Sequence, residues 1–318
     1  MALEAPIIIG HREDPHVVVV ADALVARGHG PFIVDLESIM DDGDGSGLVI
    51  GDTGCVVNAE GESIDLDRPR AGWLRRFHRA DWGLGVETGS VEALELGTWH
   101  SAYSWLIDAA NVSWVTEPRA LRGAESKLTQ WRTARTLGVP YPRTLVTTSR
   151  SAVVAAFSGE VVVKPLGTGQ FVADGDVKTV YAEPMMPDDD RLRALSSAPF
   201  IIQERLHASR HLRVVTVGDR VWAAALDVQA SAPADWRQSS ANHSDFKEVN
   251  DVSPIVRDGA VAVARELGLG YTSQDWIQEP DGETFLIDVN PAGQWLFLPR
   301  VIGDAVAEAI ADLLLVTS

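Results

Sequence analysis

Short apolar runs separated by capping and turn residues dominate the chain, and their spacing predicts alternating strands and helices. Ile7-Ile8-Ile9 reads as a strand. Asp14-Pro15 supplies an N-cap and a first helical residue, Val17 to Ala26 a helix, and Gly28 its stop. Phe32 to Leu36 follows as a second strand, so the chain opens in the strand, helix, strand order of an α/β unit. Met40 to Arg70, rich in Asp and Gly, predicts irregular loops around one short Val-rich strand at Leu48 to Ile50. Ser90 to Ala110 predicts a helix whose Trp99, Tyr103 and Trp105 serve packing.

A second block begins near Pro118. Ser126 to Leu137, closed by Gly138, has helical punctuation, and Val139-Pro140-Tyr141-Pro142 is extended because each Pro disfavours helix in the residue before it. Glu160 to Pro165 is an apolar strand that carries a lysine, and Phe200 to Glu204 is another. Leu212 to Val217 and Arg220 to Leu226 predict a hairpin around Gly218-Asp219. Ala230 to Asp251 is polar and reads as a loop. Ser253-Pro254 caps a helix that runs to Leu267 and stops at Gly268, and Asp304 to Leu315 makes a final amphipathic helix.

Composition narrows the class. The 318 residues are long for one core, and the expected division is 1–117, 118–203 and 204–318. No apolar run approaches the roughly 20 residues that span a bilayer, and no secretory signal is visible, so a cytoplasmic protein is expected. The lone Cys55 can form no internal disulfide. A net charge of −18 argues against nonspecific binding to nucleic acid or to anionic membranes, so any phosphate site must be local.

The candidate chemistry centres on Ser273 to Pro291, a predicted hairpin with its turn at Glu279-Pro280-Asp281-Gly282. An even-length loop brings Asp275 and Asp288 together, directly opposed for a two-residue loop and diagonal for a four-residue one. Asn290 joins their face by the two-residue strand period. Carboxylates roughly 5 to 8 Å apart across a ladder repel unless a cation or proton sits between them, and three oxygen ligands with room for water and phosphate suit magnesium. A solvated strand face would carry the same pattern. Lys164 is the second candidate: it follows the β-branched run Val161-Val162-Val163, and Gly167 and Gly169 come soon after. A buried ammonium needs an anion, and a phosphate held by glycine-loop N–H groups would supply one. Neither a Walker A loop nor a G-x-G-x-x-G between strand and helix is present.

The order of these residues resembles the ATP-grasp superfamily: Lys127 opening a helix, Lys164 on a strand, the segment Gln203-Glu204-Arg205-Leu206, Arg213 on the next strand, then Asp275, Asp288 and Asn290. Within it the chain is similar to the graspetide (microviridin-type) peptide ligases, themselves similar to ribosomal-protein glutamate ligases. The supporting phrases are Trp73-Leu74-Arg75-Arg76, Trp114-Val115-Thr116-Glu117-Pro118, Ala124-Glu125-Ser126-Lys127, Pro142-Arg143-Thr144-Leu145-Val146-Thr147, Asp235-Trp236-Arg237 and Asn290-Pro291-Ala292-Gly293-Gln294-Trp295.

The resemblance implies α/β and α+β architecture: an N-terminal pre-ATP-grasp domain, then a central and a C-terminal subdomain that clamp ATP. Lys127 and Lys164 would hold its phosphates, Gln203 to Leu206 the adenine with Glu204 accepting from the amino group, and Asp275, Asp288 and Asn290 the magnesium. Arg213 and Arg237 would be catalytic, clamping a substrate carboxylate or the transferring phosphoryl. The implied reaction joins side-chain carboxylates of a precursor peptide, leader plus core, to its amines or hydroxyls. Ligation of small amino acids, or a nucleotide- or peptide-binding module without turnover, are the alternatives, and a homodimer is left open. Three positions depart from the family pattern: His211 where an acid would bind the ribose, Ser126 where Asn is common, and Asp288 where Glu is common. His207, His211 and His243 are the histidines available as a base.

Overall fold

The computed structural model describes residues 5–41, 47–51, 54–59, 62–76, 83–109, 111–167, 169–173, 176–228, 236 and 244–316. The chain divides into two compact units: Met1–Arg122 with Gly268–Tyr271 and Gly303–Ser318, and Gly123–Leu267 with Thr272–Ile302.

The first unit contains β1 (Ile7–Ile9), α1 (Pro15–Ala26), β2 (Phe32–Val34), α2 (Leu36–Asp41), β3 (Gly47–Gly51), β4 (Gly54–Ala59), β5 (Glu62–Asp65), β6 (Arg70–Leu74), α3 (Val91–Ala109) and β7 (Val112–Trp114), and the chain then enters α4 (Pro118–Ala124). Strands β2-β1-β6-β7 form a parallel sheet. All three isoleucines of β1 are buried, as expected of a parallel strand covered on both faces. Ile9, Val34, Leu74, Tyr103, Leu106 and Trp114 share one core. α1 starts where its punctuation indicates, with the Asp14 side chain accepting from the His16 N–H and Pro15 in the first turn.

Three expectations fail here. The second strand ends at Val34, because the Asp35 carboxylate accepts the N–H groups of Arg12 (2.9 Å) and Ser38 (3.3 Å) and turns the chain into α2, so Leu36 starts a helix. The segment 40–70 is not loops around one strand: β3, β4 and β5 form an antiparallel meander, with Leu48 opposite Val57 and Val57 opposite Ile64. Gly47, Gly51, Gly54 and Asp65 stand at the ends of these short strands, so the composition looks like loop. Trp105 is half exposed, whereas Tyr103 is fully buried with the Trp99 ring 5.1 Å away. Two residues along a helix turn a side chain away from the face that Tyr103 occupies.

The second unit holds α5 (Lys127–Leu137), β8 (Thr144–Thr147), α6 (Arg150–Ala156), β9 (Val161–Pro165), β10 (Gln170–Ala173), β11 (Asp176–Thr179), β12 (Pro184–Met185), a 3-10 turn at Asp190–Ser197, β13 (Phe200–Glu204), β14 (Arg210–Val217), β15 (Arg220–Asp227), β16 (Lys247–Glu248), α7 (Pro254–Glu266), β17 (Tyr271–Gln278) and β18 (Thr284–Asn290). The last helix, α8 (Arg300–Val316), returns the chain to the first unit. One antiparallel sheet has the order β12-β9-β13-β8, another sheet the order β16-β15-β14-β17-β18, and β10 pairs with β11 as a separate ribbon. Ser126 caps α5 and Gly138 closes it in the left-handed region at φ 68°, as the punctuation implies. Val217 pairs with Arg220 around Gly218-Asp219, the expected hairpin. β16 lies within the stretch expected to be loop, most of which falls outside the described residues.

Asp14 also joins a buried charge cluster in the first unit, with His16 Nδ1 at 2.7 Å and Arg75 Nε at 3.2 Å. Burial alone would raise the Asp14 carboxyl, but the His16 hydrogen bonds and the Arg75 charge outweigh it and hold the group well below the usual carboxylate range. A depressed carboxylate stabilises the fold above its unfolded pKa, and that contribution is lost as pH falls through the folded value. Asp14→Ala is therefore expected to cost about 1 kcal/mol or more at neutral pH, with the gap to wild type shrinking below about pH 4, as read by urea unfolding across pH.

Candidate functional site

The hairpin that carries the paired acids exists, but its loop is not even. Gln278 pairs with Thr284, the Glu279 N–H donates to the Glu283 carbonyl (2.9 Å) and the Gly282 N–H to that of Glu279 (3.0 Å). With Gly282 at φ 93°, this is a type I turn followed by a left-handed residue, a three-residue connection. Such a loop alone would put Asp275 opposite Ile287. A β-bulge intervenes: Trp276 pairs with Leu286 and Asp275 with Asp288, leaving Ile287 as the extra residue of β18. The direct opposition of the two carboxylates thus comes from the bulge.

The outer edge of β18 is fastened at the same place. The Gln130 side chain donates to the Val289 carbonyl (2.7 Å) and accepts from the Val289 N–H (3.0 Å), and the Leu286 N–H donates to the Pro140 carbonyl (2.9 Å). Gln130 is 2% exposed, so a side-chain amide takes the part of a neighbouring strand between Asp288 and Asn290. Nothing in local spacing signals this role, because it depends on α5 packing against β18.

Lys127, Lys164, Gln203, Glu204, Arg205, Leu206, His211, Asp275 and Asp288 line one cavity of about 330 Å³ within the second unit. Lys127 Nζ lies 3.2 Å from the Pro165 carbonyl, so the helix-opening lysine reaches the end of the strand that bears Lys164. Gln203 is buried, and its Nε2 donates to Thr144 Oγ1 (3.1 Å). Glu204 Oε1 accepts from the Arg143 N–H (2.6 Å), and Arg205 pairs with Glu160 (2.6 Å). One Glu204 oxygen is therefore committed to the backbone. His211 is buried at the cavity wall.

Arg213 and Asn290 do not line the cavity. Arg213 sits behind it, donating through Nη1 to Asp275 Oδ1 (2.8 Å) and through Nη2 to the Gln294 carbonyl (3.2 Å), with the Phe297 ring 5.6 Å away. Its buried Nε meets no acceptor among the described residues. The cation demanded by the paired acids is thus partly supplied by the protein itself. Gly293 permits this arrangement: a Cβ there would fall 2.5 Å from Ser273 Cβ and 3.2 Å from Arg213 Nη2. Asn290 stands opposite Ser273, and its Oδ1 accepts from the Ala292 N–H (3.1 Å).

Among the described residues no group of three or more His, Cys, Asp or Glu side chains gathers to hold a metal. The two opposed carboxylates at the cavity nevertheless fit a hard cation that keeps water or phosphate oxygens in its remaining positions, as magnesium does. Tyr141, which the sequence did not single out, also lines the cavity. Burial and the Asp288 charge push its phenol well above the ordinary value, against the opposing effect of a Gln203 hydrogen bond, so it stays protonated and able to donate. Arg237 and His243 lie outside the described residues, and His207 is exposed and does not line the cavity.

Gln130→Ala is expected to lower stability by about 2 kcal/mol or more, because it strands both backbone groups of the buried Val289. Denaturant unfolding checks the magnitude, and hydrogen exchange should show the loss concentrated in β18.

No family model matches the sequence, and no curated protein matches it. Solved structures do match. The RiPP-associated ATP-grasp ligase of Chryseobacterium gregarium, in complex with ADP and a leader and core peptide, superposes with TM-score 0.85 at 20% identity, covering 99% of this chain and 98% of that one. Macrocyclase MdnC of Microcystis aeruginosa, bound with precursor peptide MdnA, gives 0.80 at 20% identity and 98% and 99% coverage. ATP-grasp ligase PsnB, complexed with minimal precursor, magnesium and ADP, gives 0.72 at 23% identity and 99% coverage of both chains. Likeness at such identities carries the architecture, and that architecture is the ATP-grasp fold.

Proposed function

We propose that the chain is an ADP-forming ligase that activates side-chain carboxylates of a ribosomally made precursor peptide and joins them to hydroxyl or amine side chains of the same peptide. The carrying observation is the convergence of Lys127, Lys164, Asp275, Asp288 and the segment Gln203 to Leu206 on one cavity. Support also comes from the fold shared with ligases whose structures hold ADP together with precursor peptides.

In this scheme the central (118–203) and C-terminal (204–318) subdomains clamp the nucleotide. Lys127 and Lys164 bind phosphate oxygens, the backbone of Gln203 to Leu206 and the Glu204 carboxylate meet the adenine, and His211 makes one hydrogen bond to the ribose. Asp275, Asp288 and Asn290 would hold a magnesium ion, which supplies neutralisation of phosphate charge when bound. Arg213 fixes Asp275 and places a guanidinium behind the reacting groups, and Arg237 clamps the substrate carboxylate. The carboxylate takes the γ-phosphoryl group and ADP leaves. A hydroxyl or amine of the peptide then attacks the acyl carbon, phosphate leaves and a proton is released, so each ring costs the peptide one water.

Incubation with ATP, magnesium and a peptide encoded beside the gene is expected to give loss of water by mass spectrometry, abolished in Asp288→Ala. Nucleotide binding without turnover on any peptide or small acid would instead identify a binding module. Lys164→Ala is expected to weaken nucleotide binding by about tenfold or more, as an unpaired phosphate charge implies. Arg237→Ala should lower ligation while retaining ATP affinity, and an equal loss of affinity in both variants would remove the Arg237 assignment.

A further inference from the structure

A second basic surface lies away from the cavity, on the outward face of α5. That helix turns Gln130, Thr133 and Ala134 inward. Leu128, Trp131, Arg132 and Arg135 follow at intervals of three and four residues, so they form one stripe along a groove. Leu128 is 39% exposed and Trp131 half-buried. The Arg135 guanidinium lies over the Trp131 ring, 5.3 Å from its centroid, in cation–π reach.

The charge on this stripe is out of keeping with its surroundings. The chain carries −18, and several other surface arginines of the unit are neutralised: Arg191 by Asp189 and Glu183, Arg193 by Asp190, Arg210 by Asp227, Arg265 by Asp219, whereas Arg143 and Arg257 meet no carboxylate among the described residues. Arg132 and Arg135 have no carboxylate partner among the described residues. Two unneutralised guanidinia flank an exposed leucine and an aromatic ring, a combination that matches an acidic segment with apolar side chains.

We infer that this face of α5 docks an acidic, leucine-bearing segment of the peptide substrate, apart from the residues being joined. The inference rests on the proposed peptide-ligase function: a peptide activated at side-chain carboxylates is itself acidic, and an enzyme with this net charge repels such a chain except where positive charge is local. Arg132 and Arg135 bind its carboxylates, and Leu128 and Trp131 cover its apolar side chains. Exposed ion pairs contribute modestly and are screened, so the docking is salt-sensitive.

The test uses the full chain and a fluorescein-labelled synthetic peptide rich in Glu with Leu at every fourth position, against the same peptide with Gln for Glu, read by anisotropy. The wild type is expected to bind the Glu peptide, to lose it as salt rises, and to bind it about tenfold more weakly as R132E/R135E. The milder R132Q/R135Q should lie between, with nucleotide affinity unchanged in both. Equal binding by wild type and R132E/R135E overturns the inference. So does tighter arginine-dependent binding of single-stranded RNA than of the peptide, or sedimentation showing a dimer that R132E/R135E dissociates. Arginine-dependent peptide binding without ligation of any peptide would keep the docking face and sink the ligase proposal. Ligation with unchanged KM in R132E/R135E would do the reverse, whereas a raised KM at retained kcat supports docking.

Discussion

Two carboxylates facing each other across a β-ladder are held apart from their preferred solvation and repel, and much of the second unit serves to keep Asp275 and Asp288 there. The bulge at Ile287 sets their opposition, Gln130 and Pro140 fasten the outer edge of β18, and Arg213 neutralises Asp275 from behind. Gly293 leaves the space Arg213 needs. Each device is intelligible alone as packing or hydrogen bonding. Together they hold hard oxygen donors where a cation and phosphate oxygens can complete the charge balance.

Charge is distributed with the same economy over the unit. In a chain of net −18, Lys127, Lys164 and Arg205 line the cavity beside Asp275 and Asp288, and Arg132 and Arg135 stand on the α5 stripe. Most other arginines in that unit close salt bridges with nearby acids. Such pairing suppresses long-range attraction for anions over much of the surface.

Punctuation made many of the elements legible. Asp14-Pro15, Ser126, Gly138 and Ser253-Pro254 act locally, so the helices they bound stand where the sequence implies. Less legible were short elements whose identity depends on partners. Leu36 belongs to a helix because Asp35 caps it, and β3 to β5 are strands because they pair with one another. In the hairpin, the acids were rightly placed face to face through a loop of the wrong length, since a bulge is invisible in a two-residue alternation.

The sequence by itself determined the helix caps, the apolar strands and the order of the two lysines, the segment Gln203 to Leu206, the arginine and the acids along the chain, because each rests on local sterics or on residue type. Only the tertiary structure decided that eight of those residues, with His211 and Tyr141, share one cavity, that Arg213 pairs with Asp275 without lining it, and that Gln130 fastens β18. These are contacts between segments tens of residues apart. They are fixed by the packing of α5 on β18 and by the pairing of β9 with β13, which no local pattern specifies.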